Sequence, residues 1–324
     1  RANRCSAALC DRARARRLFA NALETPGGLK VQTIHAFCTR LLHQFPFEAD
    51  VAARFEVLDE ATTAQLLNQL TLEVLLKGAT ETQSALGKAL DTAITAAADV
   101  TFKEVIAETI AKRDLITKWT ARAGGVQQAI DEMGRTFNLC PGDSAVAVEA
   151  KYFSESRITR AEWPALIEVF SKGSKADKEQ AASLTAALRA SGRQRIEHYL
   201  DVFCTDGRKP RASIITKNLA NAHPQWASRL DAEKNRVCSL LAQELALRAR
   251  DRSAALITVA AAVIERYREE KERRGLLDYE DLIDKTLELL RDASTKSTAA
   301  AWVLYKLDLG INHVLVDEAQ DTSD

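Results

Sequence analysis

The residues with the clearest chemical potential in this sequence lie near its end, where a short apolar run is followed directly by acids. Val314, Leu315 and Val316 form the apolar run, as in a strand that is buried on both faces of a parallel sheet. Asp317 and Glu318 follow at once, at the carboxyl edge where such sheets bind their ligands. Two carboxylates placed there can hold a hydrated Mg²⁺ and orient a water molecule, which is the chemistry of nucleotide hydrolysis.

The residues after this predicted strand suit separate tasks in such a reaction. Asp317 is placed to bind Mg²⁺, directly or through water, and Glu318 is placed to polarise the attacking water. Gln320 can reach that water or a terminal phosphate, while Asp321 and Thr322 can hydrogen-bond neighbouring loops. The alternative is a solvated acidic turn, because many strands end in acids. The full string D-E-x-Q-D-T favours the hydrolytic interpretation.

Composition restricts the class of protein without indicating a partner. Of the 324 residues, 45 are Lys or Arg and 45 are Asp or Glu, so only local patches can indicate nucleic acid. The hydrophobic fraction of 46% fits a folded, mainly helical protein. The six cysteines are scattered without a C-x-x-C pair, which predicts a reducing compartment and no structural metal. No secretory signal and no membrane-spanning run is found, so a cytoplasmic protein without membrane contact is expected.

The long stretch between residues 59 and 275 is expected to be mainly helical, because apolar residues recur at helical spacing through most of it. The last of these helices is predicted from about Trp226 to Arg274, and Gly275 is a suitable residue to stop it. A basic loop over residues 204–218 precedes that helix. Shorter helices are predicted over roughly 82–97, 101–122, 145–171 and 176–203.

Local signals define shorter elements on either side of this stretch. Leu29–Thr33 alternates like a short strand, and Thr33 can cap a helix that ends before Pro46. Asp278 fits the N-cap of the helix that follows the long one, and Asp281 fits its N3 position. This capping arrangement accounts for both acids without any catalytic role.

Two groups of residues are candidates for contact with nucleic acid. His35 follows Thr33 at the start of a predicted helix, where backbone N–H groups favour a phosphate. From the residues alone, a helix cap beside a half-buried histidine is the favoured interpretation. The second group is a basic patch that can follow DNA phosphates, and its alternative is a solvated surface loop. Its members are Arg208, Lys209, Arg211 and Lys217.

Residues 317–322 resemble motif II, the Walker B motif, of the UvrD/Rep superfamily 1 DNA helicases. Two further segments agree with that family in type and order. Residues 33–37 resemble its T-x-H-x-F segment, which lies at the single-stranded DNA groove. Residues 277–283 resemble its D-F/Y-x-D-L segment, where the chain re-enters the first motor domain. The resemblance implies that Thr33 and His35 contact DNA.

Finer features resemble one branch of that family, the AddA-type helicase–nuclease subunits of bacterial double-strand-break repair. They lie in residues 20–38, 45–49 and 207–211, together with Thr216 and Lys217. The resemblance covers essentially the whole chain, and it is strongest at the two ends and around the basic loop.

The resemblance implies a mainly α fold in which a large helical insertion, like subdomain 1B, interrupts a partial RecA-like α/β motor domain. The motor domain is expected at residues 1–45 and again at residues 276–324, which end at the Walker B motif. Residues 46–275 are expected to form the DNA-handling insertion. The chain would then be an internal piece of a longer protein.

By the same resemblance, the complete protein couples ATP hydrolysis, with Mg²⁺ bound at Asp317, to 3′-to-5′ movement on DNA. It would unwind and cut single-stranded and duplex ends for recombination beside an AddB-type partner subunit. One alternative is a stand-alone UvrD/Rep-type helicase without nuclease, and another is a non-catalytic helical module for DNA binding or subunit interaction. The 324 residues contain no G-x-x-x-x-G-K-S/T phosphate loop, so this chain alone is expected not to hydrolyse ATP.

Overall fold

The structure, a computed structural model, describes residues 14–21, 24, 32–97, 99–294 and 298–308. Most of these residues are helical, and the named strands among them, β1 (Glu56–Val57) and β2 (Leu276–Leu277), have two residues each. The prediction of a mainly α protein is therefore confirmed. The strand predicted at Val314–Val316 lies outside the described residues, as does most of the one predicted at Leu29–Thr33.

The helices follow one another through short connections, as the apolar periodicity predicts. The first of them are α1 (residues 14–21), α2 (Ile34–Gln44), α3 (Glu60–Thr80), α4 (Ala85–Ala96), α5 (Asp99–Ala111), α6 (Arg113–Ala123), α7 (Val126–Thr136) and α8 (Ala145–Ser154). The remainder are α9 (Trp163–Ser171), α10 (Lys175–Arg189), α11 (Gly192–Phe203), α12 (Lys217–Ala222), α13 (Pro224–Arg274), α14 (Tyr279–Ser294) and α15 (Thr298–Asp308).

Three helices that were predicted as continuous are each divided in two. In one case Thr159 and Glu162 form a capping box that opens a short 3-10 helix before α9. In another, α10 ends at Arg189 and α11 begins at Gly192, whose φ of 53° lies in the left-handed region. Such breaks depend on caps within one turn, which apolar periodicity does not register. The predictions corrected in this way covered residues 101–122, 145–171 and 176–203.

The chain divides into two compact units. The first comprises the described residues up to Asn68 and those from Tyr267 onward, and the second comprises Gln69–Arg266. The two boundaries between the units, after Asn68 and after Arg266, lie within helices α3 and α13. Both boundaries fall inside the segment 46–275, which the sequence analysis assigned to an insertion. The assignment of these units to a motor domain and an insertion remains a proposal.

The first unit is built around α2 and α14. Leu41 and Leu42 of α2 and Leu282 and Leu289 of α14 lie in one buried apolar cluster. Beside this cluster, β1 pairs in parallel with β2, and the backbone N–H of Leu58 donates to Leu277 at 2.8 Å. This packing joins α2, near the start of the chain, and α14, which follows the long helix, in one compact unit.

The second unit has its own core, in which Trp163 and Tyr199 stack with ring centroids 5.1 Å apart. A fully buried carboxylate, Glu233 of α13, lies beside this core. It accepts hydrogen bonds from the Tyr199 hydroxyl at 2.8 Å and from the Ser156 hydroxyl at 2.9 Å. The Arg236 guanidinium pairs with it as well, with Nε at 2.9 Å. Glu233 thus joins three parts of the second unit through charged hydrogen bonds.

Candidate nucleic-acid interface

Thr33 caps α2, as the sequence predicts. Its hydroxyl accepts a hydrogen bond from the backbone N–H of Ala36 at 3.2 Å, and its own backbone is extended. The side chain remains exposed at the open end of the helix. Because the hydroxyl satisfies only one of the free N–H groups of the first turn, this end of α2 remains favourable for an anion.

His35 lies in the first turn of α2 and is half-buried. Its ring contacts the ring of Tyr279, the first residue of α14, with centroids 4.8 Å apart and planes tilted by 48°. Tyr279 is 39% exposed, so one side of this pair faces solvent. The contact brings the starts of α2 and α14 together, with two rings at the junction.

Phe37 has a different role from its neighbours. It is partly buried and packs against the apolar cluster of the first unit, with the Arg40 guanidinium 5.8 Å from the centre of its ring. Phe37 therefore belongs to the edge of the apolar cluster. The spacing of these positions along the helix places Thr33 and His35 at the open end, while Phe37 faces inward.

The start of α14 carries the predicted capping box. The backbone N–H of Asp281 donates to the Asp278 carboxylate at 3.0 Å, and that of Asp278 donates to Asp281 at 2.9 Å. Burial raises the pKa of both carboxyls. For Asp278 the nearby charge of Lys271 outweighs burial and holds the pKa below its usual value, whereas the pKa of Asp281 remains above its usual value. Lys271 belongs to the last turn of α13. The two capping carboxylates thus also form ion pairs with a lysine of the preceding helix.

The basic loop of the second unit is an ordered turn. The backbone N–H of Thr205 donates to Lys209 at 2.9 Å, and that of Arg211 donates to Phe203 at 2.9 Å. Arg208 lies at the tip with a φ of 56°, in the left-handed region. The predicted loop is therefore a small hairpin-like turn.

The structure divides the predicted basic patch into two pairs of residues. The Arg208 guanidinium is paired with the carboxylates of Glu197 and Asp201, the latter at 3.0 Å. The guanidinium of Arg211 donates to the backbone carbonyl of Asp201 at 3.2 Å. Both arginines therefore hold the loop against α11, which sequence reasoning did not anticipate.

Lys209 and Lys217 form the other pair, and both are exposed. Within the described residues, no carboxylate lies at ion-pair distance from either ammonium group. An exposed ammonium can approach a phosphate without first breaking an internal ion pair. The lysines are therefore the members of the predicted patch that are available to a polyanion.

Asp177 fixes the position of Lys217. Its buried carboxylate accepts from the backbone N–H of Thr216 at 3.0 Å and from the Thr216 hydroxyl at 2.7 Å. It also accepts from Ser174 at the start of α10. Burial alone would raise the pKa of Asp177, but the hydrogen bonds from Thr216 and Ser174 hold it below the usual value. This charged clamp fixes the start of α12, where Lys217 is the first residue.

Sequence reasoning missed Tyr279, Lys271 and Asp177. The motif around Tyr279 was recognised for its caps and for its resemblance to the family's D-F/Y-x-D-L segment, but no role was assigned to the Tyr279 side chain. Lys271 and Asp177 act across distances in sequence that no short pattern reports. The predicted hydrolytic residues Asp317 and Glu318, with Gln320, lie outside the described residues.

The described residues contain no cluster of three or more His, Cys, Asp or Glu side chains that could hold a metal ion. None of the described helices is long and apolar enough to cross a membrane.

Comparison with known proteins agrees with the resemblance at both ends of the chain. A family model described as the UvrD/REP helicase N-terminal domain matches residues 3–324. A comparison with curated proteins gave no match. The family match thus extends over both units and includes the candidate interface in each.

Proposed function

This chain belongs to the family of UvrD/REP helicase N-terminal domains, and from that membership we propose that it handles DNA at two surfaces of an ATP-dependent helicase. The family implies a DNA helicase that uses ATP and Mg²⁺.

The first proposed DNA-binding surface lies at the starts of α2 and α14, and the contact between His35 and Tyr279 is the observation that supports it. Their rings lie 4.8 Å apart at the capped starts of two helices, with Tyr279 partly open to solvent. The free backbone N–H groups at the start of α2 favour phosphate, and aromatic faces stack on bases. Single-stranded DNA offers both groups at a spacing of one nucleotide. We therefore assign Thr33, His35 and Tyr279 to a contact with single-stranded DNA.

Alanine replacement of His35 and Tyr279 tests this assignment. We expect each variant to bind a labelled single-stranded oligonucleotide about fivefold to tenfold more weakly, as for the loss of one stacked base. Fluorescence anisotropy at fixed salt would measure the dissociation constants. The matched control is His43→Ala, at the other end of α2, where the ring stacks on Phe55 at 4.0 Å. Equal binding by wild type and Tyr279→Ala would remove Tyr279 from the interface.

The second surface is the one presented by Lys209 and Lys217. Two exposed lysines beside an ordered loop suit contact with phosphates rather than with bases, because ammonium groups act as point charges. This surface also supports the alternative of a helical DNA-binding module without catalysis of its own. Arg208 and Arg211, which sequence reasoning placed in the same patch, would then act by holding the loop.

The salt dependence of binding to forked DNA separates these roles. Replacing Lys209 and Lys217 together by Gln should make the dependence of binding on salt shallower. The plot of the logarithm of the association constant against the logarithm of the salt concentration should lose about one unit of negative slope per contact, because fewer counterions are released. Replacing Lys178, an exposed lysine of α10, should leave the slope unchanged. An unchanged slope in the Lys209 and Lys217 variant would exclude this surface.

For ATP hydrolysis we propose the roles that the sequence motif indicates. The donor set fits the group, since the carboxylates of Asp317 and Glu318 and the amide of Gln320 provide the oxygen ligands that Mg²⁺ prefers. Bound Mg²⁺–ATP supplies the phosphoryl group and its charge neutralisation. Asp317 would hold the ion, Glu318 would accept the proton of the attacking water, and Gln320 would orient that water.

At a finer level, we propose an AddA-type helicase–nuclease that resects double-strand breaks beside an AddB-type partner. The segments at residues 20–38, 45–49 and 207–211 support this branch. A helicase without nuclease is the alternative. The gene sequence downstream decides between them, because the first reading requires a nuclease motif there and the second requires its absence.

A further inference from the structure

A buried lysine joins the end of α13 to the start of α14. The side chain of Lys271 is only 10% exposed, and its ammonium lies 3.1 Å from the Asp278 carboxylate. It also donates to the carboxylate of Asp281. The Tyr267 hydroxyl donates to Asp278 at 3.0 Å, and the ammonium lies 4.6 Å from the centre of the Tyr267 ring. We call these four residues the Lys271 cluster.

The cluster exceeds what capping requires. A capping box needs only the two aspartates and two backbone N–H groups, and those bonds are already present. Burying an ammonium group is costly, and a buried ion pair is often no more stabilising than an apolar replacement. Such a pair does impose direction, because its geometry is satisfied in one arrangement only. Lys271 is therefore expected to fix the direction of the chain between α13 and α14 rather than to stabilise the fold.

The geometry in question is that of the turn between the two helices. Gly275 ends α13 with a φ of 66°, and only the short strand β2 separates it from the cap. A turn of this kind can redirect the following helix easily, since glycine has wide conformational freedom. The Lys271 cluster closes the turn by tying its two sides together. Tyr279 follows Asp278 directly, so the direction of its side chain depends on this closure.

We propose that Lys271 is a positioning residue that holds Tyr279 against His35 and thereby shapes the single-stranded DNA contact. It acts through Asp278 and Asp281 and does not touch DNA. This inference rests on the proposed function of His35 and Tyr279. All the residues concerned lie in the first unit.

Oligonucleotide binding by matched variants of the 324-residue chain tests the proposal. Lys271→Met should weaken binding about threefold to tenfold, approaching the effect of Tyr279→Ala. The double variant should bind no more than about twofold more weakly than Tyr279→Ala alone, because both changes remove one contact. Lys285→Met, on the same helix as Tyr279, should bind like wild type. Lys271→Arg, which keeps the charge, should restore most of the affinity.

A second measurement reports on geometry without DNA. The imidazole ring of His35 contacts the Tyr279 ring, so the NMR resonance of the His35 Hε1 proton should move in Lys271→Met in the same direction as in Tyr279→Ala. It should remain in place in Lys285→Met. If Lys271→Met fails to fold, Asp281→Asn takes its place, since an amide keeps the cap but loses the charge that faces Lys271.

The outcomes separate the two proposals. If Tyr279→Ala binds DNA like wild type, the proposed DNA contact is wrong, and the His35 resonance still decides the positioning role. If Tyr279→Ala weakens binding while Lys271→Met changes neither binding nor the resonance, the positioning role is overturned and the DNA contact stands. Additive losses in the double variant also overturn it, because they assign Lys271 an independent contribution.

Discussion

Replacing Glu318 by Gln in the intact protein is expected to lower the rate of ATP hydrolysis by about 10²- to 10⁴-fold, the usual contribution of a positioned proton acceptor. Gln has nearly the same shape as Glu but cannot accept the proton of the attacking water. Asp317 remains in the variant, so Mg²⁺–ATP should still bind. Steady-state phosphate release in the presence of single-stranded DNA would measure the loss, and binding of a fluorescent ATP analogue would show that the nucleotide is retained.

The matched control is Glu288→Gln, an exposed acid of α14 that pairs with Lys285 at 3.5 Å. It should hydrolyse ATP at the wild-type rate. A rate for Glu318→Gln that stays within about threefold of wild type would assign the proton acceptor to another residue. Loss of nucleotide binding in the same variant would instead give Glu318 a role in holding the metal.

Replacing Glu233 by Ala is expected to lower the free energy of unfolding of the second unit by about 3–5 kcal/mol, because it leaves a buried charge without its partner. Burial alone would raise the pKa of Glu233, yet the hydrogen bonds from the Arg236 guanidinium, the Arg157 backbone N–H and the Tyr199 hydroxyl keep it below the usual value, so the carboxyl is ionised. Removing it leaves these donors unsatisfied. Denaturant unfolding followed by tryptophan fluorescence would measure the change, since Trp163 stacks on Tyr199 in this core.

Two controls show whether the effect comes from the unpaired charge. Glu168→Ala removes a carboxylate that pairs with Lys172 on an exposed surface, and it should leave the unfolding curve unchanged. The double variant Glu233→Leu with Arg236→Leu removes both charges and should be more stable than Glu233→Ala. If Glu233→Ala unfolds like wild type, the buried network does not stabilise the second unit.

Features that depend on neighbouring residues were predictable from the sequence. The cap at Thr33, the capping box of Asp278 and Asp281, and the helix end at Gly275 all involve groups within four residues of one another. Backbone sterics and side-chain hydrogen bonds act at that range without help from the rest of the chain. Periodicity likewise predicted the long helix α13, although it did not register the caps that divide shorter helices.

Features that join distant residues were not predictable in this way. Arg208 looked available for DNA because its own neighbours are basic, but it is paired with acids of α11. His35 and Tyr279 lie far apart in the chain and meet only because α2 and α14 share one apolar cluster. The direction of such side chains depends on which helices pack together, and packing depends on the whole core.

By itself, the sequence determined the family, the mainly helical fold, the helix starts at Thr33 and Asp278, and the acids proposed for ATP hydrolysis. These follow from residue types at short spacing. Only the tertiary structure decided which cations remain exposed, that Lys271 lies between two carboxylates, and that Tyr279 faces His35. The physical reason is that charge pairing and burial are properties of neighbours in space, and no local pattern specifies them.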